Sequence, residues 1–177
     1  MIDEPRPALP LLIRTVLPAE AAAVAALHRR ARATSYPDGL PDDGVDWTER
    51  WREAVARPDG VVLCAVRAGR LVALASFRTP PDAAPDTVGL VQFHVDPDHW
   101  RDGVGTALHT ACVEQWQAES RTTAVLDVHV DNTRAQRFYA ARGWQPDPER
   151  PAGEGDHHLS LRFAVPGGGG RERPSSP

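Results

Sequence analysis

Residues 91–108 read VQFHVDPDHWRDGVGTAL, and this stretch decides the fold. An apolar strand ends at Val95, a proline turn follows, and Gly103 and Gly105 open a helix. The start of such a helix presents unpaired backbone N–H groups and carries partial positive charge. Because glycine also lets an anion approach the backbone closely, the stretch predicts a site for a phosphate or diphosphate group.

Other interpretations of this stretch stay open at this point. A lone Gly-x-Gly at a helix start often binds nothing. A dinucleotide-binding fold fits less well, because its fingerprint needs a glycine or alanine where Leu108 stands. A nucleotide-binding P-loop also fits poorly, because it needs a lysine and the chain contains none.

Hydrophobic periodicity on either side of the stretch predicts a mixed α/β fold. The predicted order is strand, two helices, three strands, helix, strand, helix and strand. The first two helices are predicted from Pro18 to about Ala33, and from the capping residue Asp46 to Pro58. The predicted strands are 11–17, 61–67, 71–77, 88–95, 124–130 and a last strand through Leu159, Leu161 and Phe163.

The chain length sets the domain organisation. A chain of 177 residues is long enough for one good core and short for two ordinary domains. We predict one domain over residues 11–165, with a disordered leader at 1–10 and a disordered glycine-rich tail at 166–177.

Charge and hydropathy exclude several classes of function. The net charge of −4 is spread along the chain without a basic block, so nucleic acid is not an expected partner. No apolar run approaches the ~20 residues of a membrane span, and the leader has no signal-peptide pattern. Cys64 and Cys112 each lie in an apolar segment, so we expect neither a disulfide nor a metal site. The expected location is the cytoplasm.

A second motif follows downstream, where residues 126–144 read LDVHVDNTRAQRFYAARGW. Together the two motifs resemble the GNAT superfamily of N-acetyltransferases. In that family a strand ending in valine leads to [Gln/Arg]-x-x-Gly-x-[Gly/Ala] and a helix, and a later strand leads to Asn-x-x-Ala-x-x-Phe-Tyr-x-x-x-Gly-[Phe/Trp]. Two motifs in this order are far more specific than either alone.

The resemblance implies an acetyl-CoA-dependent enzyme that acetylates an amine of a small molecule or peptide. It also implies a central, mixed and mostly antiparallel sheet of six to seven strands with about four helices, splayed between strands 4 and 5. A homodimer stays open. The residues that the resemblance assigns to the coenzyme are Phe93, Val95, Arg101, Asp102, Gly103, Val104, Gly105, Thr106, Asn132 and Tyr139.

The first motif departs from the family pattern at its leading position. Trp100 stands where the family has Gln or Arg, Arg101 follows one position later, and Asp102 puts a carboxylate beside the expected diphosphate. Because backbone N–H groups form the cradle, these changes are tolerable if Asp102 points into water, where repulsion is screened.

The catalytic candidates come from the same two motifs. By resemblance, Tyr139 donates a proton to the leaving thiolate, whereas its helical face alone would favour a core aromatic. Asn132 is compatible with a plain N-cap and with a side chain that holds the coenzyme. The general base is less defined, because Gln92 and His94 share the strand face where the family often places a glutamate. His94 has the better pKa, although a lone strand histidine is more often structural.

The acceptor site is expected between the first two helices and the later loops, where Tyr36, Trp47 and Trp51 form an apolar wall or simply pack. At most one of the adjacent His157 and His158 can face the acceptor. The other histidines are expected at the surface or behind the site, and they are His28, His99, His109 and His129. A non-catalytic acyl-CoA sensor is the main alternative function, favoured by the missing carboxylate and opposed by the intact second motif.

Overall fold

This computed structural model describes residues 9–167, which contain seven β-strands and four α-helices. The strands are β1 (Leu11–Thr15), β2 (Gly60–Arg67), β3 (Arg70–Arg78), β4 (Thr87–Val95), β5 (Thr123–His129), β6 (Gln145–Pro146) and β7 (His158–Ala164). The helices are α1 (Ala21–Ala33), α2 (Trp47–Ala56), α3 (Val104–Ala118) and α4 (Thr133–Ala140). The predicted order is thus extended by one short strand, β6. Residues 1–8 of the predicted leader and 168–177 of the predicted tail lie outside the described residues.

The strands form a mixed sheet in the order β1-β2-β3-β4-β5-β7-β6. β1 pairs with β2, and β7 pairs with both β5 and β6, in antiparallel fashion. β4 and β5 are parallel, with residues 87–89 in register with 123–125. The predicted mixed, mostly antiparallel sheet is confirmed, and the short parallel register is consistent with the predicted splay.

The described residues fall into two compact units, and β4 and α3 each contribute to both. The N-terminal unit contains the described residues up to Phe77 together with Gln92–Ala111. The C-terminal unit contains Arg78–Val91 and the described residues from Cys112 onward. The first motif therefore begins in the N-terminal unit, apart from its leading Val91, and the second lies in the C-terminal unit.

The core of the N-terminal unit forms where α1 and α2 meet β2. α2 begins as predicted at Asp46, whose side chain accepts the Glu49 N–H at 3.0 Å. This N-cap satisfies one of the backbone donors that a helix start leaves unpaired. The buried side chains of this core include Val24, Leu27, Trp51, Val62, Cys64 and Leu74.

Asp96 fixes the exit of β4, and it is a carboxylate that is only 6% exposed. Its N–H donates to the Val72 carbonyl at 2.8 Å, and its side chain accepts the Asp98 N–H at 3.0 Å. Arg30 of α1 binds both carboxylate oxygens of Asp96, each at 3.0 Å, and also reaches Asp98 at 3.0 Å. The start of the loop that leads to α3 is therefore tied to both α1 and β3.

The C-terminal unit has an aromatic core. Trp144 stacks on Phe163 with ring centroids 5.2 Å apart, and it meets Tyr139 edge-on at 5.6 Å. Trp116 of α3 meets Trp144 edge-on at 6.3 Å. Stacked and edge-to-face rings at these separations stabilise a core beyond the area they bury. Tyr139 therefore has a packing role, whatever else it does.

Arg30→Ala should lower the free energy of unfolding by about 1–2 kcal/mol, because it leaves the buried Asp96 carboxylate without its cation. The half-exposed Arg30 side chain keeps this loss below that of a fully buried pair. Urea denaturation followed by circular dichroism measures the loss. Arg29→Ala removes an exposed arginine from the same helix and should change stability by less than ~0.5 kcal/mol. Equal effects of the two substitutions would contradict the role given to Arg30.

Candidate functional site

The predicted coenzyme cradle, residues 101–106, spans the end of the loop from β4 to α3 and the first turn of α3, and it belongs to the N-terminal unit. After a short 3-10 turn, Arg101 and Gly103 both adopt a positive φ, +61° and +74°. Gly103 is exposed, and a Cβ added to it would have no atom within 4 Å. Open space therefore adjoins the N-terminus of α3, where backbone N–H groups favour an anion.

Trp100 has a structural role in this loop. Its indole N–H donates to the Val95 carbonyl at 3.0 Å. Because this is the only polar hydrogen on an indole, the side chain is committed to closing the loop onto the end of β4. Trp100 therefore does not take over the role of the polar Gln or Arg side chain that the family pattern has at this position.

Asp102 forms an ion pair with Arg67, the last residue of β2. The Asp102 side chain is 52% exposed, and the His99 ring nitrogen lies 3.8 Å from the same carboxylate oxygen. Asp102 is therefore exposed to water, as expected, and the Arg67 guanidinium also offsets its charge. Arg67 was not predicted, since 35 residues separate it from Asp102 and no motif marks it.

His94 lies within a cluster of aromatic and imidazole rings in the N-terminal unit. Its Nε2–H donates to Gln92 Oε1 at 2.7 Å, which confirms that the two side chains share a strand face. The His94 ring is 4.8 Å from that of His28, and His28 meets Trp47 edge-on at 4.5 Å. Trp51 donates its indole N–H to His28 Nδ1 at 3.2 Å. That nitrogen must accept the bond, so the geometry requires an unprotonated Nδ1.

Both imidazoles are held neutral by their surroundings. Burial, with smaller contributions from the His28 ring and the Arg32 cation, lowers the pKa of His94 to about 3. Burial, and after it Arg32, lowers the pKa of His28 to about 4. A neutral His94 can accept a hydrogen bond from an amine at pH 7, yet it is a weak base, since efficient bases have a pKa near the working pH.

The predicted aromatic wall contains charges that sequence reasoning missed. The Arg32 guanidinium lies 5.3 Å from the ring centre of Trp47 and 5.9 Å from that of Tyr36. Asp43 accepts the Trp47 indole N–H at 3.2 Å and forms an ion pair with Arg32 at 3.4 Å. Trp51 is buried in the core, so its packing interpretation holds, whereas Tyr36 is exposed. An i, i+4 spacing of Arg32 and Tyr36 on α1 and the following turn is the signal that could have indicated this contact.

The second motif places Asn132 and Tyr139 on one helix of the C-terminal unit. Asn132 is the N-cap of α4, and its Oδ1 accepts the Ala135 N–H at 3.1 Å. Tyr139 is 7% exposed, and burial raises its pKa above the usual range, with a further contribution from Cys112. The phenol therefore keeps its proton at neutral pH.

The remaining histidines differ in burial, and His99 is partly exposed. His28 and His109 are buried, which rules out the surface interpretation for these two. His129, His157 and His158 are exposed in the C-terminal unit. The His129 ring stacks on His157 at 6.3 Å and meets His158 edge-on at 5.4 Å. The two adjacent histidines thus share His129 as a neighbour.

Within residues 9–167, no group of three or more His, Cys, Asp or Glu side chains is placed to hold a metal ion. Burial raises the pKa of both Cys64 and Cys112, the latter to about 12, so both thiols stay protonated. None of the described helices has the length and apolar character needed to cross a membrane.

Residues 22–144 match the model of the family described as acetyltransferase (GNAT) family. The match covers well over half of the chain and includes both motifs. The chain belongs to this family. As a GNAT protein it is an acetyl-CoA-dependent acetyltransferase by family.

Several solved structures share the fold of this GNAT chain. PaiA N-acetyltransferase from Thermoplasma acidophilum, in complex with coenzyme A, is 12% identical with a TM-score of 0.76, covering 88% of this chain and 99% of that one. The ribosomal-protein-S18-alanine N-acetyltransferase of Escherichia coli is 18% identical with a TM-score of 0.70, covering 93% and 99%. Ard1 from Thermoplasma volcanium is 21% identical with a TM-score of 0.62, covering 88% and 97%. No curated protein matches the chain.

Acidification should destabilise the protein through His28 and His94. Each unfolded imidazole takes up a proton near pH 6.5, whereas the folded ones resist protonation down to about 4 and about 3. The stability gained from keeping them neutral is complete above pH ~6.5 and is lost progressively as the pH falls toward these values. Melting temperatures between pH 7.5 and pH 5 measure this loss.

His94→Gln removes one of these protonation sites and should flatten the dependence of melting temperature on pH. The matched control is His129→Gln, which removes an exposed imidazole and should keep the parent's profile. Parallel profiles for the parent and His94→Gln would show that His94 titrates in the folded protein as it does in the unfolded chain.

Proposed function

We propose that this GNAT chain transfers the acetyl group of acetyl-CoA directly to a primary amine of a small molecule or peptide. The presence of both family motifs within the matched residues 22–144 carries this proposal. The loop before α3 supplies the backbone donors for the diphosphate, and the open space at Gly103 supports that role. The proposed coenzyme contacts are Phe93, Val95, Arg101, Asp102, Gly103, Val104, Gly105, Thr106, Asn132 and Tyr139.

The amine must lose its proton before it attacks the thioester. An amine of pKa ~10.4 lies about three units from its neutral form at pH 7, which is equivalent to ~4 kcal/mol. The burial and the Arg32 charge that depress the pKa of His94 would act in the same direction on an amine bound beside it. His94 Nδ1 would accept a hydrogen bond from that amine, because Nε2–H is engaged by Gln92.

The transfer then proceeds through a tetrahedral intermediate. The amine nitrogen forms a bond to the thioester carbonyl carbon, and the oxyanion is stabilised by backbone N–H groups at the end of β4. Collapse of the intermediate breaks the C–S bond, and the leaving thiolate takes a proton from Tyr139. The buried phenol carries that proton throughout the neutral range, and the proton released by the amine restores it through solvent.

A non-catalytic acyl-CoA sensor is the second candidate, and the weak basicity of His94 favours it. The two functions differ in whether an amine releases free CoA. Calorimetry with acetyl-CoA, followed by a panel of polyamines, amino acids and peptides scored for free thiol and acetylated product, separates them. Binding with amine-dependent thiol release is expected. Binding without thiol release from any amine would favour the sensor, and no binding would contradict both functions.

Gly103→Val should weaken acetyl-CoA binding at least ~10-fold, because a branched side chain would fill the open space beside the N-terminus of α3. Gly155→Val is the matched control, since Gly155 also has a positive φ, +87°, and open space around its Cβ position. Both substitutions should destabilise the fold comparably through backbone strain. If the two variants bind acetyl-CoA equally in calorimetry, the cradle assignment is wrong.

Tyr139→Phe should lower kcat by about 10²–10⁴-fold, because it removes the proton donor while keeping the ring that packs on Trp144. The affinity for acetyl-CoA and the melting temperature should stay close to those of the parent. Steady-state kinetics with an acceptor whose chemistry limits the rate measures the effect. Turnover within about threefold of the parent would leave Tyr139 as a packing residue.

A further inference from the structure

The Arg67 side chain reaches the coenzyme loop from a different part of the N-terminal unit. It belongs to the last residue of β2, and its ion pair with Asp102 places the guanidinium beside the residue that precedes Gly103. The Arg67 side chain is only 16% exposed. A largely buried cation therefore lies at the loop that leads into α3.

The loop carries net negative charge, because its one arginine, Arg101, is outnumbered by carboxylates. Residues 96–103 carry three carboxylates, on Asp96, Asp98 and Asp102, which would repel a diphosphate. Arg30 pairs with the first two, and Arg67 pairs with Asp102. Of these two arginines, Arg67 is the one at the α3 end of the loop, where a helix start presents backbone N–H groups.

Arg67 also has donor capacity left over. Its NH1 group binds Asp102, whereas its Nε is buried and has no hydrogen-bond partner within the described residues. A buried N–H without an acceptor lowers stability, so an incoming acceptor is favoured at this position. A guanidinium presents five donors in a planar fork, which suits the adjacent oxygens of phosphate groups.

We propose that Arg67 binds the diphosphate of the coenzyme directly, and that Asp102 holds its guanidinium at the loop. Arg67 thereby supplies the polar side chain that Trp100 does not offer at the motif's leading position. The inference rests on the proposed function, because the coenzyme must occupy the loop before α3.

Arg67→Gln should raise the Kd for acetyl-CoA about 10- to 100-fold in calorimetry, the effect expected when a hydrogen bond to a charged group is lost. Arg70→Gln, an exposed arginine at the start of β3, is the matched control and should bind as the parent does. Thermal melts establish that each variant is folded. Parent-like binding by Arg67→Gln would overturn the inference while the proposed function stands.

A double-mutant cycle separates direct binding from simple neutralisation of Asp102. If Arg67 contacts the diphosphate, Arg67→Gln combined with Asp102→Asn stays at least ~10-fold weaker than Asp102→Asn alone. Equal affinities of the double variant and Asp102→Asn would show that Arg67 only offsets the carboxylate, and would overturn the proposal.

Dephospho-CoA, which keeps the diphosphate and lacks the 3′-phosphate, identifies the group that Arg67 contacts. Arg67→Gln should weaken dephospho-CoA and CoA by the same factor. A loss seen with CoA alone would assign Arg67 to the 3′-phosphate and overturn the diphosphate contact. An absence of coenzyme binding by the parent would overturn the proposed function and this inference together.

Discussion

The bidentate contact between Arg30 and the buried carboxylate of Asp96 is the constraint on which the loop between β4 and α3 depends. A carboxylate this buried is stable only with partners for both oxygens, and α1 provides the guanidinium that supplies them. The same residue donates its N–H to Val72 of β3 and caps the short turn that follows. The direction in which the chain leaves β4 is thus set by an ion pair and a hydrogen bond together, before the glycine at position 103 contributes its positive φ.

The N-terminal unit contains two opposite electrostatic environments. In the loop before α3, each carboxylate is matched by an arginine from another element, Arg30 or Arg67. In the ring cluster around His94, ionisation is instead suppressed, because burial and the Arg32 cation both disfavour a second positive charge. A loop that receives an anion benefits from fixed positive charge, whereas a site that receives an amine for acylation benefits from an environment that disfavours ammonium.

The parts that sequence reasoning predicted are those encoded by contiguous residues. The strand ending at Val95, the helix after Gly103 and the N-cap at Asp46 follow from local periodicity and capping chemistry. β6 was missed because two residues, paired with Arg162 and Leu161 of β7, carry no periodicity. The predicted helix start at Pro18 was early, because residues 18–20 form a 3-10 turn before α1.

The site was predictable only where a motif is continuous in sequence. The pairs Arg67–Asp102 and His28–His94 join residues 35 and 66 positions apart, and neither pair has a sequence pattern. What each group does depends on such contacts, because they decide whether an exposed carboxylate repels a ligand and whether a histidine is basic. The residue types in the sequence therefore indicated the chemistry of the loop, whereas its charge balance could be known only from the tertiary fold.

The depressed pKa of His94 bears on how an acetyltransferase could work without a carboxylate on β4. A lysine-like amine needs its pKa lowered by about three units to be half neutral at pH 7. The surroundings lower the pKa of His94 from 6.5 to about 3, a shift of comparable size in a group that, like an amine, is cationic when protonated. An acceptor amine bound in those surroundings would lose most of its proton affinity without a strong base, which supports desolvation as the route to the nucleophile. The weak basicity that favours the sensor function is therefore equally compatible with catalysis, since one environment produces both effects.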